Sequence, residues 1–99
     1  MKKTILYAAF SLATVDQFED WLSHHIGGAT RLNGQGFWRD DNGVMWREPS
    51  YVFIMFGLDA ATRSRIANWF RANTNEQSLL WENAAGEGEF EALRGSVEA

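Results

Sequence analysis

Two long runs rich in β-branched and aromatic side chains flank Asp41-Asn42-Gly43 in the stretch from Gly28 to Gly57. Asn-Gly supplies the positive-φ residues that a tight turn needs, so the stretch predicts a long hairpin around which the rest of the chain packs. In the first arm Ala29, Arg31, Asn33, Gln35 and Phe37 alternate with Thr30, Leu32, Gly34, Gly36 and Trp38. Two glycines on one side suit an edge strand carrying a bulge. In the second arm Val44, Trp46, Glu48, Ser50, Val52, Ile54 and Phe56 share one face, Met45, Arg47, Tyr51, Phe53 and Met55 share the other, and Pro49 interrupts the ladder. Tyr51 to Phe56 is expected to be central and buried, with the part nearer the turn projecting beyond the helices.

The flanking segments supply the rest of a sheet and its cover. Thr4 to Leu12 is nearly continuous in apolar and small residues, as a central strand would be. Thr14 stands three residues before Gln17, and Val15, Phe18, Leu22, His25 and Ile26 recur at helical spacing, which predicts a helix from about Val15 to Ile26 stopped by Gly27 and Gly28. Asp59 can cap a second helix with Ile66, Trp69 and Phe70 on its apolar side, ending at Asn73-Thr74-Asn75. Ser78 to Trp81 reads as a last strand. The expected order is β-α-β-β-α-β, a ferredoxin-like α+β domain over residues 1–83 with a four-stranded antiparallel sheet and two helices on one face. An acidic Gly/Glu-rich tail, residues 84–99, follows, either loose or docked as a short helix through Phe90, Leu93 and Val97.

At 99 residues and 45% hydrophobic content the chain can build one core and no second domain. Nine Lys and Arg against thirteen Asp and Glu give a charge of −4, which removes the basic footprint of generic nucleic-acid binding. Without cysteine there is no thiolate or disulfide chemistry. Met1 to Ala13 reads as a first strand rather than a signal peptide, and no run approaches a membrane span, so a cytoplasmic protein is expected. Helices cover one sheet face only. The other, rich in aromatics, is expected to meet further copies of the chain, as a dimer or trimer.

Gly28-Ala29-Thr30, Gly34-Gln35-Gly36-Phe37-Trp38, Asp41-Asn42-Gly43, Arg47-Glu48-Pro49-Ser50-Tyr51-Val52 and Asn75-Glu76-Gln77-Ser78-Leu79-Leu80-Trp81 together resemble a set of small phage and bacterial proteins related to the nitrogen-regulatory P-II fold. That resemblance implies ferredoxin-like protomers that assemble with ligands held at subunit boundaries. The regulatory members carry a long loop between the second and third strands and a basic cluster for ATP phosphates. This chain has a tight turn and no such cluster, so ATP and 2-oxoglutarate are not carried over.

The candidate ligand site is Arg31, Trp38, Arg39, Trp46, Arg47 and Glu48, where guanidinium groups and aromatic planes could hold a phosphate and stack a base. The competing reading is that these are cross-strand pairs that stabilise a projecting hairpin. Gly34-Gln35-Gly36 is a GxG with no helix after it, which favours a bulge over an anion cradle. His24 and His25 point about 100° apart on one helix and cannot chelate one metal together. Asp40 and Asp41 read as turn residues. Acid/base pairs can be drawn among Glu48, Glu76 and Glu82, but no spacing singles one out.

With no evident nucleophile, base or metal set, and no cofactor motif, the expected function is a non-catalytic homo-oligomeric module sequestering a small anionic or nucleotide ligand at inter-subunit clefts for a phage or other mobile element. The alternative is a small acidic inhibitor, of anti-defence type, that binds a host protein in a nucleic-acid-handling complex. An enzyme ranks last.

Overall fold

The computed structural model describes residues 1–95. Its elements are β1 (Lys3–Ala8), α1 (Leu12–Ile26), β2 (Thr30–Arg39), β3 (Met45–Phe56), α2 (Ala60–Asn73), β4 (Ser78–Glu82) and β5 (Gly88–Ala92). The five strands form one antiparallel sheet in the order β2-β3-β1-β4-β5.

Strand alternation divides the sheet into two unlike faces. Tyr51, Phe53 and Met55 of β3, Leu6 and Ala8 of β1, and Leu79 and Trp81 of β4 are buried, and they share one core with Val15, Phe18 and Leu22 of α1 and Ile66, Ala67 and Phe70 of α2. All the strand residues in that core have the same parity across the register, so both helices cover one side. The opposite side carries Ile5, Tyr7, Val52, Ile54 and Leu80 in intermediate exposure, with no element over them among the described residues.

α1 begins three residues before the expected Val15. Ser11 is its cap, its Oγ accepting from the Thr14 N–H at 3.3 Å, because Phe10 turns out of the strand to pack among Phe18, Tyr51, Phe53 and Phe70. The first strand therefore stops at Ala8 rather than running to Leu12. Gly27 ends α1 with φ +82°, and Asp59 caps α2 by accepting from the Thr62 N–H at 2.7 Å, both as the sequence implies.

Two expectations are corrected. The β2–β3 register runs unbroken from Thr30↔Ile54 to Arg39↔Met45, so Gly34 and Gly36 make no bulge. They lie opposite Ser50 and Glu48 and leave a strip of bare backbone on the uncovered face. The sheet has five strands rather than four, since Gly88–Ala92 folds back onto β4 instead of staying loose or forming a helix. Val97 lies outside the described residues.

Both hairpins use one device. Asp40 Oδ1 accepts from the Asn42 and Val44 N–H groups at 2.9 Å, and Asn83 Oδ1 accepts from those of Ala85 and Glu87 at 3.0 Å, with Gly43 and Gly86 at φ near +80°. Helix α2 then clamps β5. The Arg63 guanidinium lies 4.6 Å from the centre of the Trp81 ring and pairs with Glu89 and Glu91, the Trp81 indole N–H donates to Glu91 at 2.9 Å, and Arg71 Nε donates to the Leu93 carbonyl at 2.6 Å.

Leu93, 4% exposed, seats the end of this added strand in the core. Leu93→Ala is expected to lower unfolding free energy by about 2–5 kcal/mol in urea titrations. A loss within about 0.5 kcal/mol would be the signature of a free tail.

Candidate functional site

Strand parity separates the six residues that chain proximity had grouped. Trp38, Trp46 and Glu48 point to the uncovered side, whereas Arg31, Arg39 and Arg47 pair with Phe53, Met45 and Phe37 on the other. Trp38 and Trp46 face each other across the ladder and stack, with ring centres 6.1 Å apart and planes inclined by 20°. The Trp46 indole N–H is anchored on Asp40 Oδ2 at 2.9 Å, which holds the Asp40 carboxyl below its ordinary range. Each indole is about half exposed.

Arg31 and Arg39 are otherwise engaged. Arg31 donates to Glu19 at 2.9 Å and lies 5.4 Å from the Tyr51 ring centre, beside a cleft of about 210 Å³ between α1 and the sheet. Arg39 donates to the Gly43 carbonyl at 2.6 Å and braces the turn. A guanidinium-and-indole cradle for phosphate is thus not assembled within one protomer. His24 and His25 donate Nδ1–H to the Asp20 and Trp21 carbonyls at 2.8 Å, and His25 stacks on Trp21 at 4.0 Å, so both complete the helix surface.

Glu48 and Glu82, by contrast, lie on the uncovered side by strand parity. β1 ends at Ala8, so beyond that point β3 and the start of β4 flank a gap in the sheet. Glu48 approaches the gap from β3, and Glu76 from the segment leading into β4. Partial burial raises the Glu76 pKa and the Glu48 charge raises it further, while Arg94 opposes both. Near the centre of the same face Tyr7 Oη donates to Glu82 Oε1 at 2.6 Å, and that bond, with burial and the Glu82 charge, raises the tyrosine pKa. Sequence spacing could not select among Glu48, Glu76 and Glu82, because the pairings depend on which strands are neighbours. Tyr7 carried no signal beyond its place in an apolar strand.

No family model matches the chain, and no curated protein matches it. Among solved structures it is similar to a phage S-adenosylmethionine (SAM) lyase in its apo state, with a TM-score of 0.65 and 12% identity over 99% of this chain and 92% of that one. At this identity the likeness shows the fold. The expectation that the chain is not an enzyme is corrected by that likeness, since a protein similar in fold is itself a lyase and the architecture is one that carries catalysis. Lack of a nucleophile or metal motif is no guide to catalysis on such a fold.

The Glu76 environment has a stability consequence. A carboxyl whose folded pKa is raised stabilises the fold below the unfolded value and loses that contribution as pH climbs through the folded value. Glu76→Gln is therefore expected to melt higher than the parent near pH 8, with the gap closing as pH falls below the ordinary glutamate range. Melting curves across pH 3–8 check this, and a gap that widened in acid would contradict it.

Proposed function

We propose that this chain, on a ferredoxin-like fold, is a lyase acting on S-adenosylmethionine at the uncovered sheet face, with Glu48 and Glu76 as the groups that hold the substrate. The observation that carries the reading is that Glu48, on the sheet face that also carries the Trp38–Trp46 stack, is near enough to Glu76 for its charge to raise the Glu76 pKa, on a fold similar to a SAM lyase. The chemistry fits the ligand. S-adenosylmethionine carries a permanent sulfonium charge and an α-ammonium, and an acidic surface flanked by indole faces attracts both. The adenine ring has an exposed indole to stack on, an interaction worth about 1–3 kcal/mol per base.

A sulfonium needs little from a protein. When a C–S bond breaks, the electron pair goes to sulfur and leaves a neutral thioether. A lyase adds no water, so the substrate's own carboxylate can displace the sulfur: the C–O bond forms as the C–S bond breaks, the electron pair leaves with sulfur, and no proton has to be moved. Carboxylates beside the sulfonium favour the charged reactant over the neutral product, so their catalytic value lies in binding and orientation rather than in stabilising developing charge. Such a step uses no serine or cysteine nucleophile of the protein.

Purified protein incubated with S-adenosylmethionine is expected to release a neutral adenosyl thioether detectable by chromatography with mass spectrometry. Glu76→Gln is expected to lower kcat/KM by about 100-fold or more, whereas Arg31→Ala, on the helix side, stays within about two-fold. Unchanged substrate after hours with micromolar enzyme would refute the activity, and equal losses for both variants would refute the assignment of the site.

A further inference from the structure

We propose that the free edge of β2 docks an extended, acidic segment of a partner protein, which joins the sheet as a further strand and seats one apolar side chain in the cleft between α1 and the sheet. The strand order puts β2 at the margin, and its ten residues run in unbroken register with no proline, no lysine and no bulge, so it lacks the features that ordinarily keep an edge from pairing. β5, at the other margin, has five residues, and its glutamates are held by Arg63 and the Trp81 indole. Two observations show which groups of β2 face outward. The Asp40 N–H donates towards β3, to the Val44 carbonyl at 2.9 Å, and Gln35 lies opposite Pro49, which has no N–H to exchange across the ladder. By alternation Arg31, Asn33, Gln35, Phe37 and Arg39 turn both N–H and C=O away from β3, as strand addition requires.

The chemistry beside the edge specifies its occupant. The cleft at the Arg31 end, lined by Leu22, Ala29 and Phe53, holds about 210 Å³, below the roughly 300–1,000 Å³ of a small-molecule site and enough for one side chain of an added strand. Glu19 neutralises Arg31 there. At the hairpin end Phe37, 72% exposed, lies beside Arg39 and opposite Arg47 on the helix side. β2 itself has no carboxylate, Asp40 is spent on the turn amides and the Trp46 indole, and Arg47 makes no ion pair among the described residues. In a chain of charge −4 this end of the edge therefore attracts acid. A segment laid antiparallel carries acidic residues opposite Arg39 and Phe37 and an apolar one opposite Arg31, about 26 Å further on.

Docking at this edge is read without S-adenosylmethionine, so it stands or falls separately from the proposed activity. The synthetic peptide Glu-Thr-Glu-Thr-Thr-Thr-Thr-Thr-Leu, which matches Arg39 back to Arg31, is expected to bind in calorimetric titrations with a Kd of about 10–100 μM. Methylating its fifth amide nitrogen, which faces β2, is expected to weaken binding by about tenfold or more, and methylating the sixth, which faces solvent, by less than about two-fold. Gln35→Pro removes an outward N–H and leaves the β3 ladder whole, so this variant is expected to stay folded by circular dichroism and to bind the peptide about tenfold more weakly. Exchanging both peptide glutamates for lysine is expected to weaken binding by about the same factor. No saturation up to about 1 mM, equal effects of the two methylations, or β2 amides whose hydrogen exchange in the free protein slows as protein concentration rises, the mark of a second copy on the edge, would each overturn the proposal.

Discussion

Everything in this molecule depends on the two-residue alternation of β3. Tyr51, Phe53 and Met55 go into the core beneath both helices, and Val52, Ile54 and Phe56 go to the other side by the same geometry. β3 is thus buried on one side and keeps an apolar run on a side that no other element covers among the described residues. The two helices cover one side of the sheet short of the projecting hairpin end, and the other side retains the aromatic surface, the Tyr7–Glu82 bond and the carboxylate gap.

The same alternation sets the electrostatics. Arg31 and Arg39 are drawn into bracing the fold, on Glu19 and on the turn carbonyl of Gly43, while Arg63 and Arg71 fasten β5. The uncovered face keeps Glu48 and Glu82, and Glu76 stands beside Glu48, so its character is acidic and aromatic. Such a surface suits a cation, and it is the reason the proposed ligand is a sulfonium rather than a phosphate.

Much of the architecture was legible in the sequence because its signals were local. The Asp41-Asn42-Gly43 turn, the Gly27 stop and the Asp59 cap each act through backbone groups a few residues away. β5 escaped because glutamates alternate with Phe90 in an acidic run, and their partners, Arg63 and Trp81, are distant in sequence. The Asn83 and Gly86 turn, built like the one at Asp40 and Gly43, was the available clue. The site misled for a related reason. Trp38, Arg39, Trp46 and Arg47 are neighbours along the chain, yet alternation sends indoles and guanidiniums to opposite sides, whereas Glu48 and Glu76 meet only through the strand order β3-β1-β4.

The central claim is that the uncovered face recognises a positively charged adenosyl compound through its carboxylates. Calorimetric titration of the protein with S-adenosylmethionine and with its uncharged-sulfur counterpart S-adenosylhomocysteine tests it most directly, since the two differ by one methyl group and the sulfonium charge. The account predicts that the sulfonium compound binds at least about tenfold more tightly, a difference of about 1.4 kcal/mol, and that Glu76→Gln abolishes the preference. Equal or tighter binding of the neutral thioether would contradict it.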